Sequence, residues 1–491
     1  MQWRELISEI DIQENGGGAD PCITDVTCDS RCVAAGAVYV AIPGRTVHGD
    51  SFIAEAVGRG AAAVVSVNAQ PACGVPWIRV DEPRKAAGRL AKKLWNVRWD
   101  DMITVGITGT NGKTTVAHLF HHLFCNTFGA DRSWMLGTIT YSMGAHSRPS
   151  SYTTPESVDI FRFIGRAAVR PRALTMEVSS HALALDRVEG FYYDIAVFTN
   201  LTQDHLDFHS DMESYYQAKK KLFRDHIKQG GTAVINIDDP WGMRLAEELR
   251  DVRRVTFGGN GRSMVRIMNH SCTWGGTEVE INEEGETVKV QSRLSGLFNV
   301  YNLVALWAGA RALGRTSEEI RESIRTATPV TGRMQRVHIP TQYTMVVDYA
   351  HTPDALEKVL AAARPLTKGK LICVFGCGGD RDRTKRPFMA EAVAKNADEA
   401  VVTSDNPRSE EPAAIIREIL TGMPLDFPHH VEPDRRMAIR KAMTMARAGD
   451  CIVVAGKGHE TYQEVKGVRH HFDDAEVIAE LGAELKSCDM N

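Results

Sequence analysis

Short apolar runs alternate along this chain with longer stretches in which apolar residues recur at helical spacing. The runs are rich in valine, isoleucine and alanine, which is typical of strands that are buried on both faces of a parallel sheet. Strands that alternate with helices in this way predict an α/β protein whose helices cover parallel sheets. Residues 263–294 differ, because short alternating runs separated by turn residues predict antiparallel strands there.

The alternation divides the chain into three predicted domains, at residues 1–98, 99–331 and 332–491. The first is a small α/β block that ends in an amphipathic helix predicted from Pro83 to Asn96. The second is a parallel sheet, and the third is a doubly wound, Rossmann-like domain. The predicted strands are 37–42 and 61–67 in the first domain, 102–108, 173–178, 194–199 and 232–237 in the second, and 344–348, 370–375, 399–403 and 450–455 in the third.

Composition excludes several classes of protein. The 491 residues are 43% hydrophobic and 24% charged, and the net charge of −4 gives no general attraction to nucleic acid or to an anionic membrane. No stretch approaches the ~20 apolar residues of a membrane span, and the N-terminus has no apolar signal core. The ten cysteines include no Cys-x-x-Cys pair that would indicate zinc. We therefore expect a cytoplasmic monomer that acts on small molecules.

A glycine-rich turn follows the apolar residues 102–105 and indicates a site for a triphosphate. Gly109 and Gly112 allow backbone N–H groups to face phosphate oxygens, and a helix begins directly after them. Lys113 offers a positive charge for the β- and γ-phosphates, and the Thr114 hydroxyl can bind Mg²⁺. The usual P-loop pattern has a glycine six residues before its lysine, whereas this chain has Ile107, so the loop is shorter.

Polar clusters follow two further strands of the second domain, at Glu177 and around His205. Because parallel strands end at the same edge of a sheet, these side chains can converge on the γ-phosphate. A carboxylate is the usual ligand of Mg²⁺ and an imidazole is a less usual one. Taken alone, Glu177 could instead form a salt bridge and His205 could be structural. Lys219 lies in a predicted helix beside Lys220 and Lys221, which are typical of a solvated helix face.

These motifs, in this order, resemble those of the Mur ligase family, the ATP-dependent enzymes that form amide bonds in the synthesis of peptidoglycan precursors. The resemblance covers nearly the whole chain. It rests on residues 109–115, Glu177-Val178-Ser179-Ser180-His181, residues 200–207, Ala218-Lys219, Asn299-Val300-Tyr301-Asn302, Gly332-Arg333-Met334 and Asp348-Tyr349-Ala350-His351.

The resemblance implies a catalytic group of Lys113, Glu177, His205 and Lys219. In the family the lysine that matches Lys219 is carbamylated, so that its carbamate can help to hold a second Mg²⁺. Thr114 and Glu177 would bind one Mg²⁺, and His205 with the modified Lys219 would bind the other. The ATP-binding residues that the resemblance implies are Gly109, Thr110, Asn111, Gly112, Lys113, Thr114, Thr115, Asn302, Arg333, Asp348 and His351. The family motif continues Gly-Arg-Met-Glu, whereas Gln335 stands here in place of the glutamate.

The third domain carries the loop Asp405-Asn406-Pro407-Arg408, which resembles that of the family members that add meso-diaminopimelate. This amino acid differs from lysine by a second carboxylate, which an arginine fork can bind through two hydrogen bonds. The resemblance implies that Arg408 and Arg381 bind that carboxylate. It implies that Asp405, Asn406, Gly456 and Glu460 bind the remainder of the distal amino-acid head.

The first domain is similar to the part of the family that binds the uridine diphosphate of a sugar nucleotide, and Ser30 matches its motif. The loop that contains Thr153 and Thr154 resembles the one that holds the muramoyl-peptide. Ser179 and Arg187 fall where the family contacts the same substrate. Some members have a glutamine where this chain has Leu185, so the pattern of contacts there need not transfer.

The implied reaction joins meso-diaminopimelate to UDP-N-acetylmuramoyl-L-alanyl-D-glutamate through an acyl phosphate, with ATP and Mg²⁺. Other amide ligases of the superfamily are alternatives, namely the lysine-adding enzyme, the next ligase of the same pathway and a folylpolyglutamate synthetase. Arg408 favours diaminopimelate over lysine. A P-loop module that binds a nucleotide without ligation, and a structural partner of a cell-wall assembly, are alternatives from other classes.

Overall fold

The computed structural model describes residues 1–44, 47–70 and 73–489. Its strands form three main sheets, of five, eleven and six strands, and one separate hairpin. The predicted α/β class with three domains is therefore confirmed. The domain bounds at residues 98 and 331 stay a prediction. No helix in these described ranges is both long enough and apolar enough to cross a bilayer.

The N-terminal sheet is small and mostly parallel. Its strands are β1 (Glu14–Gly16), β2 (Asp25–Thr27), β3 (Ala37–Val40), β4 (Ala61–Ser66) and β5 (Trp77–Arg79), and its helices are α1 (Trp3–Leu6), α2 (Ile53–Gly58) and α3 (Pro83–Leu94). The order is β1-β5-β4-β3-β2, and only β1 is antiparallel to its neighbour. Helix α3 buries Ala86, Leu90 and Ala91, as the amphipathic pattern predicts.

The middle sheet has a parallel centre and antiparallel edges. Its strands are β6 (Ile103–Thr108), β7 (Ser133–Leu136), β8 (Thr140–Met143), β9 (His146–Pro149), β10 (Ala173–Glu177), β11 (Tyr193–Phe198), β12 (Ile227–Asn236), β13 (Arg253–Gly258), β14 (Val265–Thr273), β15 (Gly276–Glu283) and β16 (Glu286–Ser292). Its helices are α4 (Lys113–Phe128), α5 (Ser157–Arg166), α6 (Ser180–Ala184), α7 (Met212–Asp225), α8 (Pro240–Glu248), α9 (Leu297–Ala312) and α10 (Ser317–Thr326).

Strand order places the phosphate loop at the centre of this sheet. The order is β16-β15-β14-β13-β12-β11-β6-β10-β7-β8-β9, so β6 lies between β10 and β11 and runs parallel to both. The residues that follow these three strands therefore meet at one edge. Helices α4 and α9 cover one face, where Phe120 and Trp307 are fully buried in the same apolar cluster as Val105 and Ile107.

The C-terminal sheet is parallel except at one edge. Its strands are β17 (Gln335–Val337), β18 (Thr344–Asp348), β19 (Leu371–Phe375), β20 (Glu399–Val402), β21 (His429–Val431) and β22 (Cys451–Ala455). A hairpin of β23 (Tyr462–Val465) and β24 (Val468–His471) follows. The helices are α11 (Pro353–Ala363), α12 (Lys385–Asn396), α13 (Pro412–Leu420), α14 (Arg435–Met445) and α15 (Asp474–Asp489).

Helices cover both faces of this sheet, as the Rossmann-like prediction requires. The order is β17-β18-β22-β19-β20-β21, with β17 antiparallel to β18. Apolar residues of α11, α12 and α13 pack in one cluster and those of α14 and α15 in another, on opposite faces of the strands. The loops after β20 and β22 therefore end on the same edge as the loop after β18.

Candidate active site

The phosphate loop requires glycine at two positions because the neighbouring loop and helix α9 approach it closely. Gly109 has a φ of 147°, and a Cβ there would lie 1.9 Å from Thr199 Oγ1. Gly112 has a φ of 87°, and its Cβ would lie 2.6 Å from Asn302 Oδ1. Backbone in this region of φ is strained for any other residue. The close packing fixes the loop directly before the N-terminus of α4, which begins at Lys113.

The loop after β11 holds the phosphate loop by hydrogen bonds. Asn200 accepts the Thr110 N–H through its backbone oxygen at 2.8 Å and the Asn111 N–H through its side-chain Oδ1 at 3.0 Å. The Thr199 hydroxyl donates to the Asn111 carbonyl at 2.6 Å. Thr199 and Asn200 belong to the polar cluster that the sequence predicts near the γ-phosphate, but their bonds to the turn were not predicted. The phosphate loop is thus pre-shaped by its neighbour.

The half-buried Lys113 and the buried Lys219 meet at one carbonyl of the phosphate loop. Lys113 Nζ donates to the carbonyls of Gly109 at 3.0 Å and Thr110 at 2.9 Å, and Lys219 Nζ donates to the same Gly109 oxygen at 2.8 Å. The Lys219 ammonium also lies 4.5 Å from the centre of the Tyr215 ring. Burial, and then the charge of Lys113, hold the pKa of Lys219 well below the ordinary lysine value. The free amine of Lys219 is therefore accessible at a lower pH than that of an exposed lysine.

Glu177 sits at the end of β10 with oxygen donors on both sides. Its side chain is 1% exposed, and its Oε2 accepts the hydroxyls of Thr114 at 2.9 Å and Thr138 at 3.0 Å. The Thr138 N–H donates to Oε1 at 2.8 Å. A carboxylate beside a hydroxyl is the oxygen-rich surrounding that Mg²⁺ prefers. Thr138 was missed by sequence reasoning because the short strand before it, β7, was not predicted.

His205 lies near these groups in an unusual backbone conformation. Its φ is 55°, its Nε2 lies 3.4 Å from Asp204 Oδ2, and its ring centre lies 4.8 Å from that of His181. Burial lowers the pKa of His205 to about 4, so the imidazole is neutral at neutral pH and can offer a lone pair. Among the residues that the structure describes, no three or more His, Cys, Asp or Glu side chains converge as a metal site. A Mg²⁺ held here would complete its shell with water and phosphate oxygens, as is usual for this ion.

A cavity of about 710 Å³ joins these groups to the C-terminal domain. Its volume suits a nucleotide-sized ligand. The predicted residues that line it are Thr110, Asn111, Gly112, Lys113, Thr114, Thr115, Thr153, Glu177, Ser179, His205, Lys219, Asn302, Arg333, Asp348 and His351. Lining residues to which the sequence assigned no role include Asp238, Phe257, Leu297, Phe298, Tyr301, Tyr349 and Lys358.

The C-terminal domain contacts the phosphate loop directly. Asp354 Oδ2, at the start of α11, accepts hydrogen bonds from Asn111 Nδ2 at 3.0 Å and Thr202 Oγ1 at 2.8 Å. Arg333 Nη2 lies 3.4 Å from Thr114 Oγ1, and its guanidinium lies 4.7 Å from the centre of the Tyr349 ring. Arg333 Nε is buried with no hydrogen-bond partner in the described part of the chain. Such a donor suits an anionic ligand.

The remaining nucleotide-side residues are tied to their own loops. Asp348 accepts the N–H groups of Met334 at 2.6 Å and Ala350 at 2.8 Å, and burial raises the pKa of its carboxyl. His351 Nδ1 lies 2.8 Å from the Tyr349 carbonyl oxygen. Gln335 Oε1 accepts the Gly332 N–H at 2.7 Å. The residue in place of the family glutamate therefore keeps an acceptor for the turn before Arg333 without a charge.

The structure brings the six predicted amino-acid-binding residues together after β19, β20 and β22. Asn406 Nδ2 donates to Glu460 Oε2 at 2.7 Å, and a Cβ on Gly456 would lie 2.6 Å from Asp405 Oδ2. Arg408 and Arg381 share one glycine as a neighbour: a Cβ on Gly378 would lie 2.9 Å from Arg408 Nη1 and 3.9 Å from Arg381 Cγ.

These six residues do not line the cavity, but Tyr349, which does line it, contacts His459 beside Glu460. The centre of the Tyr349 ring lies 4.9 Å from that of the His459 ring. Arg408 itself has a φ of 51° and donates from Nη1 to the Gly379 carbonyl at 2.7 Å. Positive φ also occurs at three other non-glycine residues of the predicted site loops, as is common for strained residues at functional sites: His205, Met334 and Asp380.

Two of the residues predicted for the sugar nucleotide, Thr153 and Ser179, line the cavity. Thr154 and Ser179 join the Glu177 cluster, since the Thr154 hydroxyl donates to the Glu177 carbonyl at 2.8 Å and accepts the Ser179 N–H at 3.0 Å. Thr153 Oγ1 lies 3.2 Å from Thr138 Oγ1. Outside the cavity, the hydroxyl of Ser30 donates to Glu55 Oε2 at 3.4 Å. Arg187 Nε lies 3.2 Å from Glu156 Oε1.

Comparison with protein families finds three matches along the chain. Residues 22–95 match the Mur ligase family catalytic domain, residues 107–310 the Mur ligase middle domain, and residues 332–458 the glutamate ligase domain of Mur ligases. The three matches follow the order of the three sheets.

Similar proteins match nearly the full length. The chain is 41% identical over 510 residues to the UDP-N-acetylmuramoyl-L-alanyl-D-glutamate--2,6-diaminopimelate ligase of Geobacter metallireducens, with 99% of each chain covered. It is 44% identical over 447 residues to the protein of that name from Thermosynechococcus vestitus, with 90% of this chain and 89% of the relative covered. A solved structure of the same name has a TM-score of 0.70 at 30% identity, with 99% of both chains covered.

The packing at Gly109 yields a testable prediction. In the Gly109→Ala variant the new Cβ meets Thr199 Oγ1, so the loop must move and its N–H groups lose their alignment. We expect the affinity for Mg·ADP, measured by calorimetry, to fall at least about tenfold. Gly261→Ala is the matched control, because no atom lies within 4 Å of its Cβ. Wild-type affinity in Gly109→Ala would contradict the proposal that the phosphate loop binds the nucleotide.

Proposed function

The chain belongs to the Mur ligase family, and we propose that it joins meso-diaminopimelate to UDP-N-acetylmuramoyl-L-alanyl-D-glutamate, with ATP cleaved to ADP and phosphate. The observation that carries this proposal is the loop of residues 405–408, called the acceptor loop, and the residues around it. Arg381 and Arg408 both lie against Gly378, and the acids Asp405 and Glu460 stand in the loops after β20 and β22, at the same edge of the sheet. This group is connected through Tyr349 to the phosphate-loop cavity.

The first step transfers the γ-phosphoryl group to the substrate. The γ-carboxylate of the bound D-glutamate attacks the γ-phosphorus, the bond to the β–γ bridging oxygen breaks, and ADP leaves. Lys113 leaves the carbonyls of Gly109 and Thr110 to neutralise charge on the phosphoryl oxygens, while loop N–H groups orient the phosphates. No protein nucleophile is needed, because positioning and electrostatics lower the barrier.

The second step forms the amide. A neutral amine of diaminopimelate attacks the acyl carbon, and the tetrahedral intermediate collapses with loss of phosphate. The nitrogen gives up a proton as the amide forms. The acceptor loop and the phosphate loop lie on different domains, so closure of the C-terminal domain brings the amine to the acyl phosphate. The contacts of Asp354 and Arg333 with the phosphate loop support such closure.

The donor set supports Mg²⁺ as the metal. Thr114 and Glu177 would hold one ion, and His205 with the carbamate of Lys219 would hold a second. When bound, Mg²⁺ supplies positive charge to the phosphoryl oxygens. Carbamylation joins the free amine of Lys219 to CO₂ and releases a proton. Since burial holds the pKa of this lysine well below the ordinary value, the reactive amine is available at a lower pH than in an exposed lysine. The modification also removes the repulsion between the two ammonium groups at Gly109.

Charge complementarity favours diaminopimelate over lysine. The distal carboxylate can pair with Arg408 and Arg381, and the distal ammonium can pair with Asp405 and Glu460. Lysine has no such carboxylate and would leave both guanidinium groups unpaired. Rejection of a substrate that lacks an expected polar group is strong in sites of this kind.

We assign the sugar nucleotide to residues 1–98, ATP to residues 99–331 and the amino acid to residues 332–491. Ser30 would contact the uridine diphosphate, and Thr153, Thr154, Ser179 and Arg187 the muramoyl-dipeptide. We propose that the protein acts as a monomer. The need for ATP supports action in the cytoplasm.

The assay that tests this function compares acceptors. Purified protein is given ATP, Mg²⁺ and the UDP-linked dipeptide with either meso-diaminopimelate or lysine, and phosphate release is measured. We expect release to need both the dipeptide and the amino acid, and to be at least about a hundredfold more efficient in kcat/KM with diaminopimelate. Faster turnover with lysine would contradict the assignment. Phosphate release without either acceptor would favour a nucleotide-hydrolysing module.

The proposed carbamate yields a second prediction. Lys219→Ala removes the group, so we expect kcat to fall at least about a hundredfold, and added short carboxylates such as formate to restore part of it. Lys220→Ala is the matched control, because this lysine pairs with Glu248 at 2.8 Å, outside the cavity lining. Full activity of Lys219→Ala without any additive would show that the lysine plays no part.

A further inference from the structure

A lysine beneath the acceptor loop is buried completely. Lys457 follows β22, and its side chain is 0% exposed. Its ammonium donates to Asn406 Oδ1 at 3.2 Å, to Glu460 Oε2 at 3.5 Å and to the Tyr462 carbonyl. An ammonium has three donors, and all three are used. A buried charge is costly unless it is paired in this way.

Lys457 and its neighbours determine how the Asn406 amide points. Asn406 Oδ1 accepts both the Lys457 ammonium and the Glu464 N–H, the latter at 2.9 Å. Two donors on one side require oxygen there, so the amide NH₂ must face the other way. Nδ2 accordingly donates to Glu460 Oε2 at 2.7 Å.

The same contacts leave one oxygen of Glu460 for a ligand. Oε2 receives Asn406 and Lys457, whereas no donor within the described ranges contacts Oε1. Burial, and then the nearby Asp405 carboxylate, raise the pKa of Glu460, and the charge of Lys457 opposes that rise. Lys457 therefore helps to keep Glu460 ionised beside a second acid, in the state that an ammonium ligand needs.

We propose that Lys457 is a positioning residue of the acceptor site: it orients the Asn406 amide and the Glu460 carboxylate so that Glu460 Oε1 can receive the ammonium of the distal amino-acid head. Lys457 does not touch the substrate. This inference rests on the proposed function, since it takes Asn406 and Glu460 as residues that bind the amino acid.

The test measures the KM for each substrate in Lys457→Met, which keeps the chain length and removes the charge. We expect the KM for meso-diaminopimelate to rise about tenfold to a hundredfold, with the KM for ATP unchanged and kcat reduced less. Lys395→Met is the matched control, because this lysine is 72% exposed on α12. If Lys457→Met does not fold, Lys457→Gln, which retains an N–H donor, is measured in the same way.

A double variant separates positioning from general support. If Lys457 acts through Asn406, adding Lys457→Met to Asn406→Ala raises the KM for diaminopimelate by much less than Lys457→Met raises it alone. Independent, multiplying effects would overturn the proposal, as would an unchanged KM in a folded Lys457 variant of an active enzyme. If the wild-type protein shows no turnover, the proposed function is overturned, and this inference falls with it.

Discussion

The structure depends on the close packing of the phosphate loop against the segments beside it. The Gly109 carbonyl accepts hydrogen bonds from both Lys113 and Lys219, and there is no room for a Cβ at Gly109. Strand β6 must therefore lie at the centre of the sheet, with the loop after β11 on one side and Glu177 of β10 on the other. Helix α7 must also bury a lysine toward the loop. The packing of the fold thus places all of these elements around the phosphate loop, where their side chains can act together.

The second constraint is the contact between domains. Asp354 accepts a hydrogen bond from Asn111, and Arg333 donates one to Thr114, so the C-terminal domain contacts the phosphate loop directly. Tyr349 then connects that cavity with the acceptor loop. A ligase that joins two substrates on separate domains needs such contacts, because each substrate must be bound before the reacting atoms can meet. Lys219 and Lys457 are both buried, and each holds polar groups of a predicted site in place by hydrogen bonds.

The buried central strands are the elements that the sequence predicts best. Runs such as that of β11 are apolar because both faces of the strand are covered, so their pattern is strong. The strands β8 and β9 were missed, since they are short and partly or fully exposed, and their pairing depends on neighbours. Contacts that cross domains were missed for a different reason. Asp354 and Asn111 are 243 positions apart, and no local pattern marks either as the other's partner. The motifs predicted the loops of the candidate site, whereas the contacts of Thr138 and Lys457 became visible only in the structure.

The transfer of oxygen from substrate to phosphate tests the proposed chemistry most directly. The UDP-linked dipeptide would carry ¹⁸O in the γ-carboxylate of its D-glutamate, and the phosphate released with ATP and meso-diaminopimelate would be analysed by mass spectrometry. Because a carboxylate oxygen becomes the bridge of the acyl phosphate and leaves with phosphorus, we predict one ¹⁸O atom in each phosphate. Phosphate free of ¹⁸O, formed together with the amide, would contradict phosphoryl transfer to the carboxylate at the Gly112–Lys113 turn.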